Sequence, residues 1–188
     1  MTRVTAVAVG VGLLIVAGAS AAEPSPYAGW QDWAIKALSA EQIADLRAGR
    51  GMGLALAAEV NGYPGPRHVL DLADQLGLSP EQRARAAAAI AEMEGRAVRL
   101  GERLIAGEAM LERLFAEGNA DPATVRAATL EIGRLQGELR AHHLGYHLAM
   151  RDLLTAEQIE RYQALRGYAE PRAGGGHGGH GNGRGGHD

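Results

Sequence analysis

Between residues 90 and 114, Ile90, Met93, Ala97, Leu100, Leu104, Gly107, Leu111 and Leu114 fall at alternating steps of three and four. Val125, Ala128, Ile132, Leu135, Leu139, His142, Tyr146, Ala149 and Leu153 repeat the rule. Apolar positions at this spacing line one stripe of an α-helix, and two such stripes make a coiled-coil-like seam. The pattern predicts one helix over 80–117, ending at Gly118-Asn119, and a second over 121–153, opened by Asp121 and Pro122. So short a connection folds the two back on each other as an antiparallel hairpin about 57 Å long. Facing seam residues then have numbers summing to about 239: Met93 meets Tyr146, Leu100 meets Leu139, and on the flank Arg103 lies near Glu138. Shorter helices are predicted over 39–47, 52–60, 66–76 and 156–166.

Helix punctuation agrees with this reading. Leu38-Ser39-Ala40-Glu41-Gln42, Leu78-Ser79-Pro80-Glu81-Gln82 and Leu154-Thr155-Ala156-Glu157-Gln158 share one form. In each, the hydroxyl caps a free N–H of the first turn and Gln reaches back to the cap, a structural role that leaves no chemistry to the motif. Ile43 and Ile159 complete a hydrophobic staple with the preceding Leu, whereas Arg83 leaves the second staple incomplete. From Glu23 to Ala169 there are four Val, six Ile and three Thr, too few strand formers for a sheet. The predicted class is all-α.

The two ends are foreign to this middle. After Arg3, residues 4–22 carry no charge and finish in Ala19-Ser20-Ala21-Ala22. That is the layout of a secretory signal peptide over 1–22, cleaved after Ala21 or Ala22; the alternative is an uncleaved anchor in the inner membrane. Residues 174–188 hold nine Gly and three His (His177, His180 and His187) with no aliphatic side chain, so 170–188 is expected to be a disordered tail. The foldable domain is 23–169, and the expected location is a periplasm.

Composition removes whole classes of function. The chain has no cysteine, hence no disulfide, thiolate metal site or cysteine nucleophile. A net charge of −3 and 4% aromatic residues argue against nucleic-acid binding. Of four serines, Ser39 and Ser79 are committed to caps, Ser20 lies in the signal and Ser25 sits among prolines, so no catalytic serine is expected. The protein is read as a non-enzyme.

The capping boxes that bracket the hairpin, the signal segment and the Gly/His-rich tail together resemble the Spy/CpxP family of periplasmic proteins, including ZraP-like and CnrX-like heavy-metal resistance and sensor members. The resemblance implies a helical, dimeric envelope protein of the stress or heavy-metal response. It implies an ATP-independent chaperone or stress adaptor, whose partners are unfolded client proteins or an envelope-stress sensor. The alternative is a heavy-metal sensor or buffer. Extra apolar residues off the seam (Val98, Ile105, Phe115, Leu130, Leu144 and Leu148) supply either an exposed client face or burial under the short helices and in a homodimer contact.

Candidate metal chemistry concentrates on one stretch. In Ala141-His142-His143-Leu144-Gly145-Tyr146-His147, followed by Met150, His142 falls on the seam, while His143, His147 and Met150 share a flank. In the 239 register Glu94 is the first-helix residue nearest His143. Imidazole with thioether suits copper or nickel, and imidazole with carboxylate suits zinc. The bland alternative is a wet, His-rich flank with a His143–Glu94 hydrogen bond. The tail histidines are a second, loosely ordered set of candidate ligands.

Overall fold

The computed structural model describes residues 25–169, so the expected signal segment and tail, with His177, His180 and His187, lie outside the described residues. The described residues divide into two compact units, 25–32 and 33–169. In the first, a 3-10 turn spans Trp30–Asp32, and Tyr27 meets the Trp30 ring edge-on at 5.5 Å. The second carries α1 (Ala40–Arg47), α2 (Leu56–Glu59), α3 (Pro66–Asp71), α4 (Pro80–Ala116), α5 (Pro122–Leu153) and α6 (Ala156–Leu165), with no strand among the described residues.

α4 and α5 form the expected hairpin. Its turn follows from local chemistry. Gly118 takes φ +70° and donates to Phe115 O at 3.2 Å, while Asn119 N–H reaches Leu114 O at 2.9 Å. These two bonds satisfy carbonyls that the helix end would otherwise leave bare. Asp121 then caps α5 through Ala123 N–H at 2.8 Å and Thr124 N–H at 3.2 Å. The three Ser/Thr boxes all close as capping boxes. Two of them also dock on each other: Gln82 donates to Gln158 Oε1 at 2.8 Å, and Gln158 returns a bond to Gln82 Oε1 at 3.0 Å. Each Gln therefore caps its own helix and pins the open end of the hairpin.

Two apolar clusters fill the interior. Toward the closed end, Leu46 and Ile35 pack on Ala97, Leu100, Leu104, Ile105, Ile132, Leu135 and Leu139. Toward the open end, Val69, Ala73, Leu76 and Leu78 close over Ala86, Met150, Leu154 and Tyr162. α1 lies so close on α4 that a Cβ at Gly101 would stand 2.5 Å from Leu46 O.

Four expectations need correction. The 239 register holds where Gly107 faces Ile132, but Arg103 pairs with Glu131 at 3.2 Å rather than meeting Glu138. Arg134 lies between the two acids on α5 and gathers both, so Glu138 is already engaged. The buried line on α5 is also rotated: after Leu139 it runs through His143 and Met150, while Ala149 is exposed. A 3.5-residue repeat drifts round a straight 3.6-residue helix, and α3 covers the flank onto which it drifts. The helix expected over 52–60 shrinks to Leu56–Glu59 because Met52 (φ +43°) and Gly53 (φ +76°) break its start. α3 ends at Asp71, and the chain continues through turns to Gly77 at φ +63°.

Of the off-seam apolar residues, Ile105 is buried and Val98 and Leu144 are half-buried. Phe115, Leu130 and Leu148 are exposed, as is Met110.

Candidate metal cavity

The rotation of α5 turns His143 and His147, one helical turn apart, into a cavity of about 340 Å³. Its walls come from the loop at Gly51–Ala55, from α2 through Leu56 and Glu59, from Gly65–His68 opening α3, and from Met93 on α4. Arg166 and Tyr168, just after α6, complete it.

The hydrogen bonds of the two imidazoles fix their chemistry. His143 is 3% exposed and its Nδ1 lies 3.0 Å from Leu139 O. A carbonyl only accepts, so Nδ1 carries a proton, and in the neutral ring Nε2 presents a bare lone pair. That Nε2 is buried without a partner. His147 is likewise held through Nδ1, with its N–H donated to Tyr63 O at 2.7 Å. An imidazole held through Nδ1 with Nε2 free is the arrangement in which histidine binds metals, the outer bond orienting the ring and raising its basicity.

Two glycines make room for these rings. A Cβ on Gly51 would lie 3.3 Å from His143 Cδ2, and one on Gly65 would lie 3.0 Å from His147 Cε1 and 3.2 Å from its Nε2.

Glu59 is the buried carboxylate of the wall, and it is heavily engaged. Oε1 accepts from Tyr162 Oη at 2.5 Å and from Tyr168 Oη at 3.4 Å, and it stands 3.4 Å from Arg166 Nε. Oε2 accepts Gly65 N–H at 3.1 Å and lies 3.7 Å from His147 Nδ1. Burial first, then the adjacent Glu59 carboxylate, push the Tyr162 hydroxyl far above its ordinary range, so it stays a donor. Burial works against the Arg166 charge, but Tyr168, Tyr162 and Glu59 outweigh it and raise its pKa.

The remaining candidate ligands lie elsewhere. Glu94 forms an ion pair with Arg67 and is not part of the cavity wall. Met150 is 2% exposed among Val69, Leu154 and Tyr162, also away from the wall. His142 is half-buried with Nε2 2.9 Å from Met93 O, and its ring meets Tyr146 edge-on at 5.1 Å. Among the described residues no three His, Cys, Asp or Glu side chains are grouped to hold one ion. Sequence reasoning missed Met52, Glu59 and the two glycines, and gave Met93 only a seam role. A methionine between two glycines at 51–53 and a glycine between two prolines at 64–66 were the available signals.

A family model described as heavy-metal resistance matches residues 51–161, more than half of the 188-residue chain. The chain belongs to this family. The heavy-metal resistance family includes Spy/CpxP-like proteins such as ZraP and CnrX, in keeping with the boxes and the hairpin. The matched segment opens at Gly51, against His143, and includes α2, α3, the whole hairpin and most of α6. No curated protein and no solved structure matches the chain. No helix among the described residues is long and apolar enough to cross a membrane.

Proposed function

We propose that this heavy-metal resistance protein is a non-catalytic metal sensor or buffer of the periplasm that takes a late transition-metal ion, zinc, copper or nickel, into the cavity between α5 and the 51–68 segment. The buried His143 Nε2, without a partner at the wall of that cavity, carries the reading. A buried polar atom without a partner costs free energy in the empty protein, and an ion removes that cost. His143 and His147 would hold the ion through Nε2, and the ion would supply a cross-link between α5 and its cover. Export rests on the signal-like residues 1–22. Calorimetric titration of zinc, copper and nickel into the wild type and into His143→Ala/His147→Ala tests the site. The double variant is expected to lose about tenfold or more in affinity. Unchanged affinity would overturn the cavity reading.

The chaperone or stress-adaptor reading draws support from a different observation. Met110, Phe115 and Leu130 are 49%, 62% and 61% exposed around the closed end of the hairpin. Such a surface suits an unfolded client or a second copy of the chain. Suppression of aggregation of an unfolded client, weakened in Phe115→Ser/Leu130→Ser but not in His143→Ala/His147→Ala, is its signature. Equal suppression by all three proteins would contradict it.

A further inference from the structure

We infer that the cavity selects a soft monovalent ion, copper(I) or silver(I), with the thioethers of Met52 and Met93 completing the set begun by His143 and His147. The inference rests on the cavity being a metal site and narrows that reading to one class of ion.

The donor inventory comes first. Among the described residues no three His, Cys, Asp or Glu side chains are grouped to hold one ion: of the two others in the wall, Glu59 is engaged by Tyr162 and the Gly65 N–H, and His68 Nδ1 lies 3.7 Å from Asp71 Oδ2, while Met52 and Met93 line the same cavity. Zinc closes its sites with imidazole, thiolate or carboxylate. A thioether is neutral and polarizable, and it favours copper(I).

Charge points the same way. Glu59, the carboxylate in the wall, already accepts Tyr162 Oη at 2.5 Å and Gly65 N–H at 3.1 Å, with Arg166 Nε at 3.4 Å. An entering ion therefore meets neutral donors, a carboxylate whose charge is already balanced, and the Arg67 guanidinium, itself paired with Glu94. The cost of taking an ion out of water grows with the square of its charge, so a single charge is favoured over a double one.

The backbone adds an independent observation. Met52 is the one non-glycine residue at positive φ among the described residues, at +43°, held between Gly51 and Gly53. A side chain is costly in that conformation, and Gly or Asn would fit it better. Met52 is 40% exposed and lines both this cavity and a second one with Leu38, Leu46 and Leu54, so apolar burial accounts for only part of its placement. A sulfur donor supplied to the cavity accounts for the rest.

The test uses the full chain with His177, His180 and His187 replaced by alanine, which removes the tail imidazoles. Silver(I) and zinc(II) are titrated separately against a competing chelator, and X-ray absorption is recorded on the copper(I)-loaded protein. Silver(I) is expected to bind about a hundredfold or more tighter than zinc(II), with sulfur among the neighbours of copper. Met52→Leu/Met93→Leu, which keeps side-chain volume, is expected to weaken silver(I) about tenfold or more and leave zinc(II) within about twofold. Met52→Leu alone, at an exposed position, carries part of the same loss without disturbing the core. Zinc binding as tight as silver, or copper without a sulfur neighbour, overturns the inference and leaves the histidine pair standing. Silver and zinc affinities unchanged in His143→Ala/His147→Ala overturn the site itself.

Discussion

Gly65 and Tyr162 show how single residues set the cavity. A methyl group on Gly65 would press on His147 and stand 3.3 Å from Glu59 Oε2, with the backbone pinned by the Gly65 N–H bond. Gly65→Ala is therefore expected to lower metal affinity about tenfold while changing Tm little, as calorimetry and thermal melts would show. Tyr162 is fully buried and its hydroxyl is the shortest bond to Glu59. Tyr162→Phe leaves a buried carboxylate short of a donor, with an expected loss of about 1–3 kcal/mol in urea unfolding. A loss below about 0.5 kcal/mol would mean that water replaces the hydroxyl.

Among the helices, close approach and burial make opposite demands on similar residues. Gly101→Ala gains about 1 kcal/mol of helix propensity, but its methyl meets the Leu46 backbone at 2.5 Å and α1 must shift. The expected net effect is a destabilisation of about 1–2 kcal/mol. Gly133→Ala and Gly137→Ala on α5 have nothing within 4 Å and are expected to stabilise by about 0.5–1 kcal/mol, so chemical denaturation should separate the two kinds of glycine. Glu108 on α4 is 8% exposed, and burial raises its pKa above 4.5. A carboxyl whose folded pKa is raised binds its proton more tightly in the native state, so its contribution is full below the unfolded pKa and falls as pH rises through the folded one. Glu108→Gln should therefore raise Tm at pH 7 by a few degrees, and the gain should vanish below about pH 4.5. A gain that persisted at low pH would mean that the carboxyl charge is not its cause.

At the scale of the whole molecule, the hairpin was legible because it is written locally. The steps of three and four, Asp121 with Pro122, and Gly118 each act within a few residues of chain. The His143–His147 pair was legible for the same reason. Its surroundings were not, because Glu59 and His147 lie 88 positions apart, and no periodicity states that the segment from Gly51 to Gly65 folds over α5. The 239 register placed Glu94 beside His143, yet Arg67 at the start of α3 holds Glu94 instead. Met150 was expected on the flank, but the drift of the seam took it into the core. The central claim is that His143 and His147 present bare Nε2 atoms to an ion. Nitrogen-15 NMR of the histidine rings tests it most directly. In the metal-free protein both rings should be Nδ1–H tautomers, and on adding silver(I) both Nε2 resonances should shift while Nδ1–H stays bound to its carbonyl. A proton on Nε2 of His143 before metal is added, or Nε2 resonances that do not move with silver(I), would contradict it.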